Sequence, residues 1–213
     1  MLFRENRAEV NGFDIYYREY GEGDPLLLIM GLGANADWWG DDFVLDLAAR
    51  FRVVAFDNRG AGRSGKPQGP YSIPQMAADA AGLIDHLGWD SAHVLGASMG
   101  GMIAQELALE RPERVKRLVL LCTSCGGREQ VLAAPETYAL LNIPRKGLTP
   151  EDIARAFLPL LFPQRYIDEN PASIRQFVES FLMAPIETRS FVRQCVAINS
   201  WIDYSRMKDM SPP

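Results

Sequence analysis

The first 122 residues alternate between two hydrophobic patterns. Short apolar runs such as LLLIM (26–30) and RVVAF (52–56) have the length of a strand and no polar face, which is typical of strands buried on both sides of a sheet. Between such runs lie stretches with helical spacing, at 43–50 and after the capping box Ser72–Gln75. Strand and helix in alternation predict a mostly parallel sheet with right-handed crossovers.

The neighbouring segments follow the same scheme. Residues 3–10 and 13–20 flank Asn11-Gly12, a dipeptide that favours the tight turn of a β-hairpin. The chain then continues with a predicted strand at 92–97, a predicted helix at 99–110 and a predicted strand at 115–122. Up to residue 122 the sequence therefore predicts an α/β fold in which an N-terminal hairpin joins a mostly parallel sheet.

The hydrophobic patterning changes after residue 125. Residues 126–205 have helical spacing and no strong strand signal. This helical block is attached at the carboxyl end of a sheet strand, which is the end at which open α/β sheets bind ligands. The sequence therefore divides into a core (1–125), a helical block (126–205) and the start of a return to the core (206–213).

Three helices are predicted within this block. The first begins at Thr149 and runs towards Leu158, where Pro159 and Pro163 are expected to break it. The other two are marked by apolar positions between residues 174 and 182 and between residues 191 and 201.

Composition and charge exclude several classes of function. The 213 residues carry a net charge of −5 and no cluster of Lys and Arg, so no nucleic-acid-binding surface is predicted. The longest apolar run, at 26–30, is far too short to span a bilayer.

The N-terminus is charged and lacks the apolar region of a signal peptide, and three cysteines fit a reducing compartment. We therefore expect a cytoplasmic protein.

Cys122 and Cys125 form a CxxC motif within LLCTSCGG. A redox motif needs a helix start after its first cysteine, and a zinc site needs a second pair of ligands. The sequence shows neither. Because two glycines follow, we expect a loop in which Cys122 is a buried residue at the end of a strand. No metal and no cofactor is predicted for this chain.

Residues Gly96-Ala97-Ser98-Met99-Gly100 match the pattern G-x-S-x-G. A strand that turns at once into a helix holds its serine in a strained conformation, with the side chain raised into a cleft. The residues two before and two after the serine must be tiny to avoid collision, and they are Gly96 and Gly100. The pattern predicts that Ser98 is a catalytic nucleophile. The N–H of Met99, at a helix N-terminus, is then expected to face developing negative charge.

A second hydrogen-bond donor for an oxyanion is expected in the loop after the 26–30 strand. This loop reads Met30-Gly31-Leu32-Gly33, and its glycines let the backbone turn inward. We expect the N–H of Leu32 to be this donor. A plain flexible loop is the alternative interpretation.

Taken together, these segments resemble the α/β-hydrolase fold superfamily over nearly the whole chain. IMGLGANADWW, FDNRGAGRSGKP, the stretch from YSIPQMAADA to HVLGASMGG, and RPERVKRLVLL occur in the order and at the spacing of that family. MGLG followed by DNRGAGRS is most similar to the esterase and lactonase branch, which includes aclacinomycin methylesterase-like and 3-oxoadipate enol-lactonase-like enzymes. The resemblance implies that the block at 126–205 is a helical cap over the active site. Many members have His-Gly where this chain has Met30-Gly31.

The resemblance also narrows the chemistry. Haloalkane dehalogenases and epoxide hydrolases of this fold place an aspartate where this chain has Ser98. The resemblance is compatible with hydrolysis of esters, thioesters, lactones or C–C bonds. The implied partner is therefore a small-molecule ester or lactone that is cleaved through an acyl-enzyme, with no metal or cofactor.

Neither histidine of the chain suits the role of catalytic base. In this fold the acid and the histidine follow the serine along the chain, but His86 and His93 both precede Ser98. His86 is expected to be a partly exposed helix residue. His93 opens the strand before the serine, roughly 16 Å of extended chain away towards the opposite end of the sheet, and is expected to be structural.

No catalytic acid is predicted in the chain either. Some family members carry it after the strand that follows the elbow helix, where this chain reads Cys122-Thr123-Ser124-Cys125, and others carry it one strand further on. Asp203 and Asp209 lie at the end of the cap and are not assigned this role. The chain ends at DMSPP, where family members begin the next strand. The resemblance therefore implies that two strand–helix units, about 60 residues, are absent.

These observations favour a serine hydrolase that lacks its acid and base in this chain and is nearly inactive alone. A non-catalytic binding protein and a C–C bond hydrolase of the same fold are the alternatives. The intact Gly96, Ser98 and Gly100 argue against the first of these. The 115–122 strand is apolar on both faces, as interior strands are. With no following strand it is expected to be an exposed edge that self-associates or accepts a complementing segment.

Overall fold

A computed structural model shows how these elements assemble, and it describes residues 2–127, 130–131, 133–141, 143–201 and 204–210. Its strands are β1 (Arg4–Val10), β2 (Phe13–Tyr20), β3 (Asp24–Ile29), β4 (Phe51–Phe56), β5 (Ala92–Ala97) and β6 (Val115–Leu121). They form one sheet in the order β1-β2-β4-β3-β5-β6. The β1–β2 and β2–β4 pairs are antiparallel, and the other pairs are parallel. The predicted fold class, a mostly parallel α/β sheet with an N-terminal hairpin, is confirmed.

The turn of the hairpin has the predicted geometry. Asn11 and Gly12 have φ angles of 49° and 79°, and a tight hairpin turn of this type needs positive φ at both central residues. Val10 then pairs with Phe13 directly across the turn. The dipeptide therefore sets the register of the whole β1–β2 ladder.

Three helices connect the strands of the core: α1 (Asp41–Ala48), α2 (Ile73–His86) and α3 (Met99–Glu110). The start of α2 is capped as predicted, because the N–H of Gln75 donates to the Ser72 hydroxyl at 3.2 Å. Gly88, with a φ of 67°, follows the last turn of the helix.

Side chains of the central strands alternate between two hydrophobic cores. On β3, Leu27 and Ile29 belong to the core on the side of α2 and α3. Leu26 and Leu28 belong to the core that includes Val44 of α1. Because both faces of β3 are covered, its sequence is a continuous apolar run rather than an alternating one.

Further helices follow the sheet along the chain. They are α4 (Pro135–Leu141), α5 (Pro150–Leu161), α6 (Gln164–Glu169), α7 (Pro171–Met183) and α8 (Thr188–Ser200), before a 3₁₀-helix at Tyr204–Asp209. Among the described residues, no helix is both long and apolar enough to cross a membrane.

The predicted break of α5 at Pro159 is wrong, because this proline lies inside the helix. A proline removes one N–H, whose acceptor would be the carbonyl of Arg155 one turn earlier. Arg155 is exposed, so water can satisfy that carbonyl. The helix continues to Leu161, and Pro163 follows its end as predicted.

Aromatic contacts join α7 to the loop after β3. The ring centroid of Trp38 lies 4.9 Å from that of Phe177 and 5.4 Å from that of Phe181. In the same region the side-chain amide of Asn35 donates to the Ala184 carbonyl at 3.0 Å. The helical block therefore contacts the core at the loop that is predicted to supply an oxyanion donor.

β6 is an edge strand. It pairs with β5 on one side, and no strand in the described part of the chain pairs with its other side. Val119, Leu120 and Leu121 are 46%, 40% and 40% exposed. An apolar edge of this kind presents backbone N–H and C=O groups beside hydrophobic surface.

The expectation that Cys122 is buried is wrong. This residue is exposed, and its φ of 41° lies in the left-handed region. The cause is tertiary, since β6 ends at Leu121 on the uncovered edge of the sheet and the chain turns there. No helix begins between Cys122 and Cys125. Within the described ranges, no cluster of His, Cys, Asp and Glu could hold a metal ion.

Candidate active site

Ser98 forms the turn between β5 and α3. Its φ and ψ are 55° and −120°, a conformation that residues with a side chain rarely adopt and that costs on the order of 1–3 kcal/mol. Ser98 is exposed, whereas the next residue, Met99, is completely buried. The strained turn therefore presents the serine to solvent and not to the core.

Hydrogen bonds hold the backbone of Ser98 on both sides. Its N–H donates to the Leu121 carbonyl at 2.9 Å. Its carbonyl accepts from the Thr123 hydroxyl at 2.7 Å and from the N–H groups of Gly101 and Met102 at 2.9 and 3.3 Å. Strain of this kind persists only where the surrounding structure fixes it, and these bonds supply that constraint.

The glycines around Ser98 are required by close packing of backbone on backbone. A Cβ at Gly96 would collide with the carbonyl of Gly100, and a Cβ at Gly100 would collide with the carbonyl of Ile29. Neither obstacle is a side chain that could move aside. The spacing of the motif thus allows α3 to cross β3 and β5 closely enough to form the turn.

The loop after β3 lies directly against the serine. A Cβ built on Gly31 would be 3.0 Å from the Ser98 Cβ and 3.4 Å from its Oγ. The buried side chain of Asn58 donates to the Met30 carbonyl at 2.8 Å, which fixes the start of this loop. The loop in which the sequence predicts the second oxyanion donor therefore lies beside Ser98.

Among the backbone N–H groups near Ser98, some donate to an acceptor within the described part of the protein and others do not. The N–H of Gly33 donates to the side-chain oxygen of Gln194 at 2.9 Å. The N–H groups of Leu32 and Met99, which the sequence predicts as oxyanion donors, have no acceptor among the described residues. Met99 is also the first residue of α3, at the positive end of the helix dipole. Neither group is therefore engaged by another acceptor in that part of the chain.

Gln194 on α8 connects the helical block to two loops of the core. It is fully buried, and besides accepting from Gly33 its amide nitrogen donates to the Arg59 carbonyl at 3.0 Å. The sequence analysis missed this residue. The only signal was a polar residue on the face of a helix that also carries Phe191 and Ala197.

Replacing Gln194 by leucine is expected to lower the free energy of unfolding by about 2–4 kcal/mol. The change leaves the Gly33 N–H and the Arg59 carbonyl buried without partners, at about 1–3 kcal/mol each. Urea denaturation measures the effect. Arg193→Leu is the matched control, because its guanidinium bonds lie nearer the surface, to Pro67 and Gln68. Equal stability of the two variants would contradict this role of Gln194.

Asp57, at the end of β4, ties a second pair of loops together. It is completely buried and accepts from the N–H groups of Ala36 and Arg63, at 2.7 Å each. Burial raises the pKa of this carboxyl. A Cβ at Gly62 would collide with the same carboxylate. Asp57 therefore fixes the backbone of the loops after β3 and β4.

Arg59 and Asp79 form a buried ion pair behind these loops. The Nε and Nη2 atoms of Arg59 lie 2.5 and 2.6 Å from the two carboxylate oxygens, and Asn11 donates to the same carboxylate at 2.8 Å. Burial raises the pKa of Asp79, while the hydrogen bonds from Arg59 and Asn11 act in the opposite direction. The pair joins the loop after β4 to α2 and to the hairpin turn.

Both histidines lie away from Ser98. His86 is exposed at the end of α2. His93 lies at the start of β5, with its Nε2 3.4 Å from Asp24 at the start of β3, whereas Ser98 follows the opposite end of β5. Asp209 is exposed in the C-terminal 3₁₀-helix, and Asp203 lies outside the described residues. The structure thus brings the predicted nucleophile and oxyanion loop together and adds no histidine to them.

Two cavities open elsewhere, with volumes of about 310 and 650 Å³. Both border Pro74, Glu106 and Arg206, and neither borders Ser98. The buried Glu106 is already bonded there by the Trp201 indole N–H at 3.0 Å and by Arg206 at 3.2 Å. These cavities are therefore separate from the candidate active site.

A family model described as the alpha/beta hydrolase fold matches residues 24–206. This range includes Ser98, the loop after β3 and most of the chain. The chain therefore belongs to the α/β-hydrolase fold family.

Individual relatives support the same grouping. A protein of Azorhizobium caulinodans, provisionally named carbamate hydrolase RutD, is 37% identical over 166 residues, which cover 76% of this chain and 60% of that protein. 3-Oxoadipate enol-lactonase 2 of Acinetobacter baylyi is 31% identical over 163 residues, which cover 75% of this chain and 58% of that protein. The crystal structure of the enol-lactonase from Burkholderia xenovorans LB400 matches with a TM-score of 0.84 at 27% identity, covering 98% of this chain and 78% of that one. The chain thus spans about three fifths of the length of the two curated relatives.

Proposed function

We propose that this chain carries the nucleophile and the oxyanion hole of a serine hydrolase that cleaves carboxylic esters or lactones. The observation that carries the proposal is the strained, exposed turn at Ser98 with the unbonded N–H groups of Leu32 and Met99 on neighbouring segments. The Ser98 Oγ attacks the carbonyl carbon, and the resulting oxyanion accepts hydrogen bonds from both N–H groups. The alcohol leaves, and water then hydrolyses the ester formed on Ser98.

Proton transfer needs a base, and in the described part of the chain no histidine lies beside Ser98. We assign no base to His86 or His93, because both lie away from the turn. We propose that the acid and the base come from a complementing segment at the carboxyl ends of the strands. The similarity to proteins named as enol-lactonases and as a carbamate hydrolase supports acyl chemistry. A non-catalytic binding protein is the second candidate, favoured by the distance of both histidines.

Covalent labelling tests the proposed nucleophile. An uncharged alkyl fluorophosphonate is expected to label Ser98 faster than the other serines, because an oxyanion hole alone retains roughly a thousandfold acceleration when a triad is removed. Peptide mass spectrometry locates the label. Ser98→Ala should abolish it, and Ser124→Ala, a change in the next loop, should keep it. Labelling that persists in Ser98→Ala or is spread evenly over several serines would refute the proposal.

The exposed β6 edge is proposed to associate with a second copy or with a complementing strand. In the isolated chain, sedimentation is expected to show concentration-dependent association through this edge. Leu120→Lys should weaken association by at least about tenfold, because it adds a charge to the apolar edge. Val192→Lys, at a 53% exposed position on α8, is the matched control. A monodisperse monomer at every concentration would count against the proposal.

A further inference from the structure

Arg145, in the loop between α4 and α5, is a half-buried cation with no acidic partner among the described residues. The two fully buried arginines among the described residues are paired: Arg18 lies 2.7 Å from Asp37, and Arg59 lies 2.5 Å from Asp79. In the described part of the chain, no side chain makes an ion pair or a hydrogen bond with Arg145. Burial lowers the pKa of its guanidinium, and no carboxylate contributes to that shift. Buried charges are normally paired, so this exception points to a ligand.

The guanidinium of Arg145 lies on two aromatic rings. Its Cζ is 3.5 Å from the ring centroid of Phe191 and 5.6 Å from that of Phe157. Stacking of this kind offsets part of the desolvation of the cation. It leaves the in-plane N–H groups without acceptors, and these groups form the fork that binds a carboxylate with two parallel hydrogen bonds.

Phe191 also links Arg145 to the oxyanion loop. A Cβ built on Gly33 would lie 3.1 Å from the Phe191 Cδ2, so this ring lies against the loop. The side chain of Leu32 packs on the hydrophobic cluster that contains Phe157 and Phe191. Arg145 and the proposed donor Leu32 therefore contact the same small cluster.

We propose that Arg145 binds a carboxylate of the substrate, so that the substrate class is an ester or lactone with a free carboxylate elsewhere in the molecule. This inference rests on the proposed function of Ser98. The carboxylate accepts two N–H bonds from Arg145 while the scissile carbonyl lies beside Ser98. Because the chain carries a net charge of −5, an unpaired cation near the site also offsets the repulsion of an anionic substrate.

Binding of a matched pair of esters tests this assignment. The probes are monomethyl adipate and dimethyl adipate, which differ in one carboxylate, titrated by calorimetry into the Ser98→Ala chain so that neither is turned over. The monoester is expected to bind about 10- to 100-fold more tightly, as for a hydrogen bond to a charged group. Arg145→Met, which keeps a long apolar side chain over Phe191, should abolish the preference. Arg145→Lys should retain part of it.

Lys146→Met is the matched control, since Lys146 is the exposed neighbouring cation. It should leave the preference unchanged. Equal binding of the two esters, loss of the preference in Lys146→Met, or displacement of the monoester by inorganic phosphate as readily as by succinate would overturn the assignment.

The two proposals fail separately. The binding experiment contains no nucleophile, so its result does not depend on whether Ser98 reacts. Labelling of Ser98 by an uncharged fluorophosphonate does not require Arg145. A chain that is labelled normally but shows no preference for the monoester retains the hydrolase proposal and loses the carboxylate site. The reverse result retains the site and rejects the nucleophile.

Discussion

The 213-residue chain is expected to hydrolyse p-nitrophenyl butyrate on the order of a millionfold more slowly than a serine hydrolase whose nucleophile has a histidine and an acid beside it. Neither His86 nor His93 lies beside Ser98, so this serine is expected to keep its proton at neutral pH and to attack poorly. Loss of the histidine from a serine protease triad costs about as much as loss of all three members, on the order of a millionfold in kcat. An oxyanion hole alone retains a rate acceleration of roughly a thousandfold over the reaction in water.

Activity is expected to return when a segment that carries an acid and a histidine is supplied, either fused or as a separate chain. A C-terminal segment from an enol-lactonase relative is the natural source. The β6 edge offers its first strand a partner, and this edge ends beside the Ser98 turn, as the bond from Ser98 to Leu121 shows. The rates of the chain alone, the completed chain and the completed chain with Ser98→Ala are compared.

Two results would contradict this expectation. Robust turnover by the chain alone that survives His86→Ala and His93→Ala would mean that another group acts as the base. Turnover by the completed chain that survives Ser98→Ala would mean that Ser98 is not the nucleophile.

Arg59→Met is expected to destabilise the fold by about 3–5 kcal/mol. Removing one partner of a buried ion pair leaves the other charge uncompensated, and here it leaves Asp79 with only Asn11 as a donor. Urea denaturation at pH 7 measures the loss. The double variant Arg59→Met, Asp79→Leu should recover most of it, because an apolar pair can replace a buried ion pair. Arg155→Met, which breaks the exposed pair with Glu151, should cost at most about 1 kcal/mol.

The loss of folding stability caused by Arg59→Met should increase as the pH rises. Burial already raises the pKa of Asp79 above 3.8, and Arg59 makes the largest opposing contribution, so the variant raises this pKa further in the folded state. A carboxyl whose folded pKa exceeds its unfolded pKa contributes stability below the unfolded value, and that contribution is lost as the pH rises through the folded value. The free energy of unfolding of the variant should therefore be closest to that of the wild type at about pH 4, and the difference between the two should increase towards pH 7. A difference that is constant from pH 4 to 7 would show that Asp79 does not carry the effect.

The parts of the fold that could be predicted rest on local signals. The buried parts of β3 and β4, at 26–29 and 53–56, are continuous apolar runs because both their faces are covered. Asn11-Gly12 fixes a turn through two positive φ angles, and Gly96 and Gly100 fix a crossing through backbone contact. Each signal lies within a few residues of the structure that it determines, so no knowledge of distant contacts is needed.

The features that sequence reasoning missed depend on partners far along the chain. Gln194 and Gly33 are 161 residues apart, and no spacing rule connects them. Arg145 is unusual only because no carboxylate of the described residues lies against it, which a linear sequence cannot reveal. The expectation that Cys122 is buried rests on the usual burial of free cysteines, but its exposure follows from the position of β6 at the edge of the sheet.

The hydrogen bond from the Ser98 N–H to the Leu121 carbonyl connects the proposed nucleophile directly to the edge strand of the sheet. When the outer side of β6 is empty, we expect that strand to open locally more often, and the Ser98 amide should then exchange its hydrogen with solvent. When a strand docks there, the same amide becomes protected before any chemistry takes place. A split enzyme built on this chain would therefore report the docking of its second half at one backbone position, even when the docked half carries no histidine.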